Sequence, residues 1–453
     1  MSVPTTETSA KTRLSLLQIA AYSMAQFGGA IFFQVAALLL MPFMTNTLAV
    51  PAALAGLAVF IPKFWVMICD PLMGTWSDRV NSLARGRRPF VLWGGLGTAA
   101  GIVAVFVVPG IASPALLAIY VMLAYTLAST AYSAFSVPYL TMGSEITATP
   151  RERTTVMAWR QAFNYGAILL AFSAPWLVQR LGGGRPAYSG MALILGSICA
   201  LAIVVSWLGL RGVRSRGGAG ASTVSLFSRI GSAFENHEFR RLFRAYCVQY
   251  VAVGVAGAGF AYYVIYQGGG DFAALTQLAM VMVVGGILGQ FFWVRIAGRF
   301  GKLPTYRVCI VGMSATQIAY FVVPPGSLLP VFVINFFVGV FTGSMLVMAW
   351  SMLMDIIVRD EEDEGVQRGG ILAGIWSAGE KAAAAVGALA TGLILQAFDF
   401  QVSTEGFIPQ SPLAHLGIRV VAGIVTPALL LTSLVSLRHY PAGRPLGVPR
   451  AAE

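Results

Sequence analysis

Residues 60–89 read FIPKFWVMICDPLMGTWSDRVNSLARGRRP. An apolar run that begins near Leu54 carries Lys63 and Asp70 inside it, passes Pro62 and Pro71, and ends in a cluster of arginines. Ionisable side chains within a membrane-length apolar segment are costly and are usually kept for a pathway or a relay. In a helix, Lys63, Val66 and Asp70 fall on one face. Pro71 and Pro62 remove the backbone hydrogen bonds that the carbonyls of Met67 and Ala58 would accept, so a kinked helix with spare carbonyls is expected.

The composition agrees with a membrane setting. Of 453 residues, 57% are hydrophobic and 11% charged, whereas a soluble domain carries about 25% charged residues. Fifty glycines suit helices that pack backbone to backbone. Twelve apolar segments are about 20 residues or longer, near 15–44, 52–77, 90–109, 115–142, 155–178, 187–210, 243–266, 273–297, 304–323, 328–357, 368–397 and 413–437. Their apolar residues run all round rather than alternating, which argues against a β-barrel and predicts an all-α membrane protein.

The net charge of +12 sits in short loops, the pattern that sets topology rather than one that binds nucleic acid. With the N-terminus inside, 24 Lys and Arg fall in inner loops and 3 (Arg180, Arg185, Arg419) in outer ones. Both termini are therefore expected in the cytoplasm, on a plasma (inner) membrane. The polar N-terminal stretch lacks the apolar core and cleavage site of a signal peptide. The Gly-, Ser- and Arg-rich stretch 211–242 divides the chain into two six-helix halves, 1–210 and 243–453. Basic loops recur at corresponding places: Gly86-Arg87-Arg88 after the second segment, Arg295 to Lys302 after the eighth. Repeated halves with a site between them are the plan of many secondary carriers.

No Walker loop, His–acid pair or Cys–His constellation suggests an enzyme, and the four cysteines show neither metal-ligand spacing nor a disulfide framework. No cofactor and no metal are expected. What remains is the polar set inside the apolar runs. Asp70 reads either as a protonatable or cation-binding switch or as an acid paired for folding with Lys63 or Arg160. Arg160 shares a helix face with Asn164; it reads equally as a substrate ligand or as an arginine snorkelling to the interface. Lys381, beside Glu380 in a small-residue helix, reads as a substrate or coupling group or as a structural partner of Glu380. Gln26, Gln34, Tyr132, Ser133, Ser136, Gln161, Asn335 and Trp376 are candidates to line an aqueous path or to satisfy neighbouring helices. Near the inner face, Asp78, Arg79, Arg87, Arg88, Arg153 and Asp355 suit latches between halves as well as solvated charge. The run Asp360-Glu361-Glu362-Asp363-Glu364 reads as a solvated face.

These pieces resemble the glycoside–pentoside–hexuronide:cation symporters, the melibiose-carrier-like branch of the major facilitator superfamily. Tyr22 to Gly28 looks like that family's first-helix opening. Lys63-Phe64-Trp65, Asp70-Pro71-Leu72-Met73-Gly74, Ser77-Asp78 and Gly86-Arg87-Arg88-Pro89 resemble its second-helix signature. Ser136-Val137-Pro138-Tyr139-Leu140 with Glu145, Arg151 and Arg153 looks like helix four and its loop. Glu235 to Phe239 resembles the start of helix seven, and Met352 to Asp355, Gly365 and Lys381 resemble the helix 10–11 region.

The resemblance implies a major facilitator fold and symport by alternating access, with a small-molecule substrate, a coupling cation and lipid as partners. Together with the residue reading above, coupling is expected of Asp70, Lys63 and Ser133, substrate contact of Arg160, Lys381, Ser136, Gln26, Trp376 and Asn164, and gating of Asp78, Arg79, Arg87, Arg88, Arg153 and Asp355. The departures bear on the ion. The family uses two acids one turn apart on helix two with a polar neighbour; here Val66, Cys69 and Asp70 hold those places. A valine and a thiol offer sodium no hard oxygen, so proton coupling, or no coupling, is expected in preference to sodium. The sugar-holding acids of helices one and four are replaced by Ala30 and Ser136, and the stacking aromatic by Leu140. With Arg160 and Lys381 retained, the implied site leans towards an anionic or amphipathic substrate as well as a glycoside. The rival from another class is a membrane protein that binds a lipid or partner without transport.

Overall fold

The computed structural model describes residues 14–82, 86–147, 149–211, 213, 234–364, 369–438 and 440. They form twelve helical spans: α1 (Leu16–Asn46), α2 (Ala52–Ser82), α3 (Arg88–Phe106), α4 (Pro114–Ile146), α5 (Pro150–Phe172), α6 (Gly184–Gly209), α7 (His237–Gln267), α8 (Phe272–Phe300), α9 (Lys302–Val322), α10 (Leu328–Glu364), α11 (Gly369–Ala397) and α12 (Pro412–Leu437). Each overlaps one expected segment. Most of the expected connector, 212 and 214–233, lies outside the described residues; α7 begins within its end, at His237.

Among the described residues, ten helices are long and apolar enough to cross a membrane. The other two are α5 and α9. α5 opens with Arg151, Glu152 and Arg153 and carries Arg160 mid-way, while α9 carries Lys302 and Arg307 in its first two turns. α5 stops at Ser173, ahead of Pro175, and a short helix, Ala174–Arg180, continues its path. Helix starts are marked by side-chain caps that satisfy otherwise orphaned backbone amides: Ser15 with Gln18 in a capping box, then Ser113, Thr149, Asn236, Asp271 and Ser411. α2 runs unbroken through both Pro62 and Pro71.

Packing partners repeat with an offset of six spans. α3 packs on α4 and α6 as α9 packs on α10 and α12; α1 packs on α5 and α6 as α7 packs on α11 and α12; α2 packs on α4 as α8 packs on α10. The two halves meet chiefly where α2 crosses α11 and where the α5 extension meets α8. The first crossing is backbone to backbone: a Cβ on Gly392 would collide with the carbonyl oxygen of Ala52. α1 is the most enclosed of the ten membrane-length spans.

Apart from a Lys381–Asp70 contact within the bundle, the hydrogen bonds between the halves among the described residues gather at the face opposite the termini. Thr45 bonds Tyr262 (2.8 Å), the Tyr266 hydroxyl donates to Asn46 (2.7 Å), and the Ala53 amide donates to the Gln396 side chain (3.0 Å). Ala49 N–H donates to the Ser403 carbonyl and Ser403 N–H to that of Thr45, at 3.1 and 2.9 Å. Gln179 donates to Asp271 at 2.8 Å, and the Trp176 amide to Thr276 at 3.3 Å. These seal one end of the molecule. Two π-turns, Tyr263–Gln267 in α7 and Val421–Val425 in α12, widen those helices beside the central space.

Candidate functional site: an interhelical cavity and a charge pair between halves

Asp70 on α2 is ion-paired with Lys381 on α11, each side chain about three-quarters buried. This is the one ion pair between the halves among the described residues. Only one carboxylate oxygen is engaged; Asp70 Oδ1 is buried without a hydrogen-bond partner. Around it Val66, Cys69 and Ser133 are all buried, and the Ser133 hydroxyl also lacks a partner. The pair thus sits in an environment with little to solvate a bare carboxylate, which is what makes the ammonium beside it important.

Lys63, placed by its spacing on the same face as Asp70, goes elsewhere. Its Nζ lies 5.9 Å from the centre of the Phe33 ring, and its side chain enters a cavity of about 430 Å³. The two groups part because Asp70 is drawn to α11 while Lys63, nearly two turns earlier, faces α1. The cavity lies between halves but draws more of its wall from the second, including Tyr250, Tyr263, Gln317, Tyr320, Asn335, Glu380 and Lys381; the first half's share includes Phe33, Gln34, Val59, Lys63 and Phe172. Mostly apolar walls with a few polar groups are typical of small-molecule sites, and the volume falls in their usual range of about 300–1,000 Å³.

The remaining predicted binding residues divide into two groups. Arg160, Gln26 and Asn164 form one network outside the cavity wall: Arg160 Nε donates to Gln26 Oε1 and Gln26 Nε2 donates to Asn164 Oδ1, both at 2.9 Å. The guanidinium also lies 5.8 Å from the Tyr139 ring, which stacks on Tyr22 while each tyrosine donates its hydroxyl to the other's carbonyl. Trp376 belongs to a different packing unit. It is fully buried, stacked at 4.0 Å on Tyr246, with its indole N–H unpartnered; Tyr246 donates to Glu380 at 2.7 Å. Ser136 is half-buried on α4. Sequence reasoning passed over Gln317 and Tyr250; a polar or phenolic side chain in an apolar run was the available signal, but too many such positions exist to choose among them.

The charged groups near the termini pair within halves. Arg87, on the connection into α3, bonds Glu145 on α4 (2.9 Å) and Ser77 on α2 (2.7 Å), with both charged side chains buried. Lys302 at the start of α9 bonds Asp355 on α10 (2.6 Å), and Arg359 on α10 bonds Glu238 on α7 (2.9 Å). Arg88 donates to the Trp207 carbonyl of α6 at 2.9 Å, and Arg79 is exposed. The side chains of Asp78 and Arg153 lie outside the described residues. Asp360 departs from the expected solvated run: it is buried and accepts from Asn236 at 3.0 Å, because the start of α7 packs against it.

The sequence matches the family described as MFS/sugar transport protein over residues 21–444. Among its relatives, the inner membrane symporter YicJ of Escherichia coli is 24% identical, covering 94% of this chain and 92% of its own. The putative glycoside/cation symporter YagG of the same organism is 23% identical, with 87% and 85% covered. The fold is also that of solved transporters: a D-xylose–proton symporter aligns with a TM-score of 0.66 at 15% identity over 94% of this chain and 97% of that one. A bacterial homologue of the human lysosomal transporter Spinster, inward-facing and occupied, aligns with a TM-score of 0.69 at 14% identity over 93% and 95%. The chain therefore belongs to the MFS/sugar transport protein family, within the glycoside–pentoside–hexuronide:cation symporters of the major facilitator superfamily.

Proposed function

We propose that this protein is a secondary carrier that moves a glycoside-like solute together with a cation by alternating access, the cation being a proton. The observation that carries the reading is the Asp70–Lys381 pair, an acid of one half held by a base of the other inside the membrane-spanning bundle. Protonating Asp70 removes the charge that holds Lys381, so occupancy by a proton and the contact between halves are linked. The buried Val66, Cys69 and Ser133 offer at most one hydroxyl oxygen beside Asp70, which disfavours a sodium ion, since hard cations need several oxygen ligands.

With both termini in the cytoplasm of an inner-membrane protein, the sealed face is the external one. Relatives named as symporters, and one named a putative sulfoquinovose importer, of Salmonella typhimurium, support a polar sugar derivative as the substrate class. The test is uptake into proteoliposomes of a panel of methyl glycosides and sugar acids, driven separately by pH and sodium gradients. Accumulation that follows the pH gradient and disappears in Asp70→Asn is expected. Accumulation driven by sodium at fixed pH would replace the proton in this reading, and binding without flux would replace transport.

A further inference from the structure

We infer that the connection 398–411, between α11 and α12, is a strap that fastens the sealed face, gripping the first half through one residue, Ser403. The inference rests on transport by alternating access, in which that face must open.

Connections between bundled helices usually take about 2–8 residues, and longer ones without secondary structure of their own are usually functional. This one is longer and is closed on itself. Gln401 N–H donates to Gln410 Oε1, and Gln410 Nε2 donates to the Gln401 carbonyl, both at 2.9 Å. Two aromatic side chains fasten it to its own half. Phe400 lies edge-on to Tyr262 and Tyr266, with ring centres 5.2 and 5.4 Å apart, and Phe407 edge-on to Tyr266 and Phe272 at 5.6 and 5.3 Å. Its hydrogen bonds to the first half, among the described residues, are both made by the Ser403 backbone. The Ser403 N–H donates to the Thr45 carbonyl at 2.9 Å, and the Ser403 carbonyl accepts from Ala49 N–H at 3.1 Å. Loop backbone normally turns such groups to water, but Ser403 is only 8% exposed, so its two bonds are the means of satisfying them.

Backbone strain lies at the same place. Among the described residues, the non-glycine residues with positive φ are Ala49, at 52°, and Asp399, at 56°. Aspartate tolerates the left-handed region, whereas alanine adopts it at a cost. Such strain persists where the surroundings over-determine it, and it is common in switch regions. Ala49 is held there with its N–H on Ser403, so breaking that bond frees the segment between α1 and α2 to relax. The clip is also tied to the side-chain seal. Thr45 gives its carbonyl to Ser403 and its hydroxyl to Tyr262; Tyr266, whose hydroxyl donates to Asn46, has its ring against both strap phenylalanines. Ser403 and the two tyrosines therefore let go together, and the strap leaves with the second half.

The experiment measures how often the sealed face opens, with no solute present. Gly257 lines the cavity and has open space where a side chain would go. In a background without the four native cysteines, Gly257→Cys is labelled in intact cells with a membrane-impermeant maleimide, dilute enough for the rate to follow the open population. Ala49→Gly relieves the closed face of its strain and should slow labelling about fivefold or more. Ser403→Pro removes the N–H bonded to Thr45 and should speed labelling about threefold or more. Thr404→Ala, next along the strap and exposed, should leave the rate unchanged. A protein that binds without transporting would still answer this test, whereas failed uptake of every glycoside and sugar acid would count against transport alone. Labelling that Ala49→Gly leaves unchanged or speeds, labelling that Thr404→Ala alters as much as Ser403→Pro does, or a Gly257→Cys that is never labelled would each overturn the strap. Should Ser403→Pro fail to fold, Ala49→Gly decides by itself.

Discussion

Asp70 and Lys381 form an ion pair across 311 positions of sequence and across the boundary between the halves. Breaking a buried pair on one side leaves an uncompensated charge, which costs more than the pair itself contributes. Asp70→Asn is therefore expected to abolish uphill accumulation and to lower thermal stability, while retaining part of the downhill exchange. Asp70→Asn with Lys381→Gln should recover the stability without recovering accumulation. Concentrative uptake that persists in Asp70→Asn would detach this pair from coupling.

Hydropathy alone gave the twelve spans because lipid demands long apolar helices whatever their packing. Asp70 stood out for the same reason, since an acid is rarely tolerated there. Its partner could not be read: a helical face at Lys63, Val66 and Asp70 says which side chains emerge together, not which neighbouring helix meets each one. α1 meets Lys63 and α11 meets Asp70, so two charges on one expected face serve different places. Arg160 stayed ambiguous because its satisfaction comes from Gln26, 134 positions earlier. The charges near the termini suit latches between halves as well as solvated charge; Arg87, Lys302 and Arg359 all find acids in their own half. The repeat that was faint in sequence is clearer in these pairs: a base at the start of α3 or α9 bonds an acid late in α4 or α10.

Arg87 and Glu145 are each about 95% buried, and the guanidinium is also held by Ser77. Glu145→Gln keeps the shape but removes the charge opposite the arginine, and a loss of about 3–5 kcal/mol is the usual scale for such a change. The Lys302–Asp355 pair occupies the matching position but is much more exposed, so Asp355→Asn should cost no more than about 1 kcal/mol. Thermal unfolding in one detergent compares them. Equal losses would remove burial as the explanation.

Gly392 on α11 has no room for a side chain against Ala52 on α2. Gly392→Ala must therefore separate the two helices, at a cost of about 1–3 kcal/mol for overpacking, and should loosen the sealed face next to it. Gly298→Ala is the control, because nothing lies within 4 Å of the added methyl there. Labelling of a cysteine introduced at Gln396, in a background without the four native cysteines, should accelerate in the first variant and not in the second.

Asp271 couples helix capping to the seal. Its carboxylate accepts from Ala274 N–H at the start of α8 and from the Gln179 amide of the other half. Those two donors, the backbone amide first, hold the carboxyl below its ordinary value of 3.8. A depressed value means that the folded state favours the carboxylate. Its contribution is thus complete above the ordinary value and declines as pH falls through the lowered one. Asp271→Ala should lower stability by about 0.5–2 kcal/mol at neutral pH, the usual cost of losing an acidic cap. The gap in Tm between the wild type and this variant should stay constant down to about pH 4 and shrink below it, as linkage requires. A gap that widens on acidification would reverse the sign and show that the protonated carboxyl, not the carboxylate, is the form that holds Gln179 and the seal.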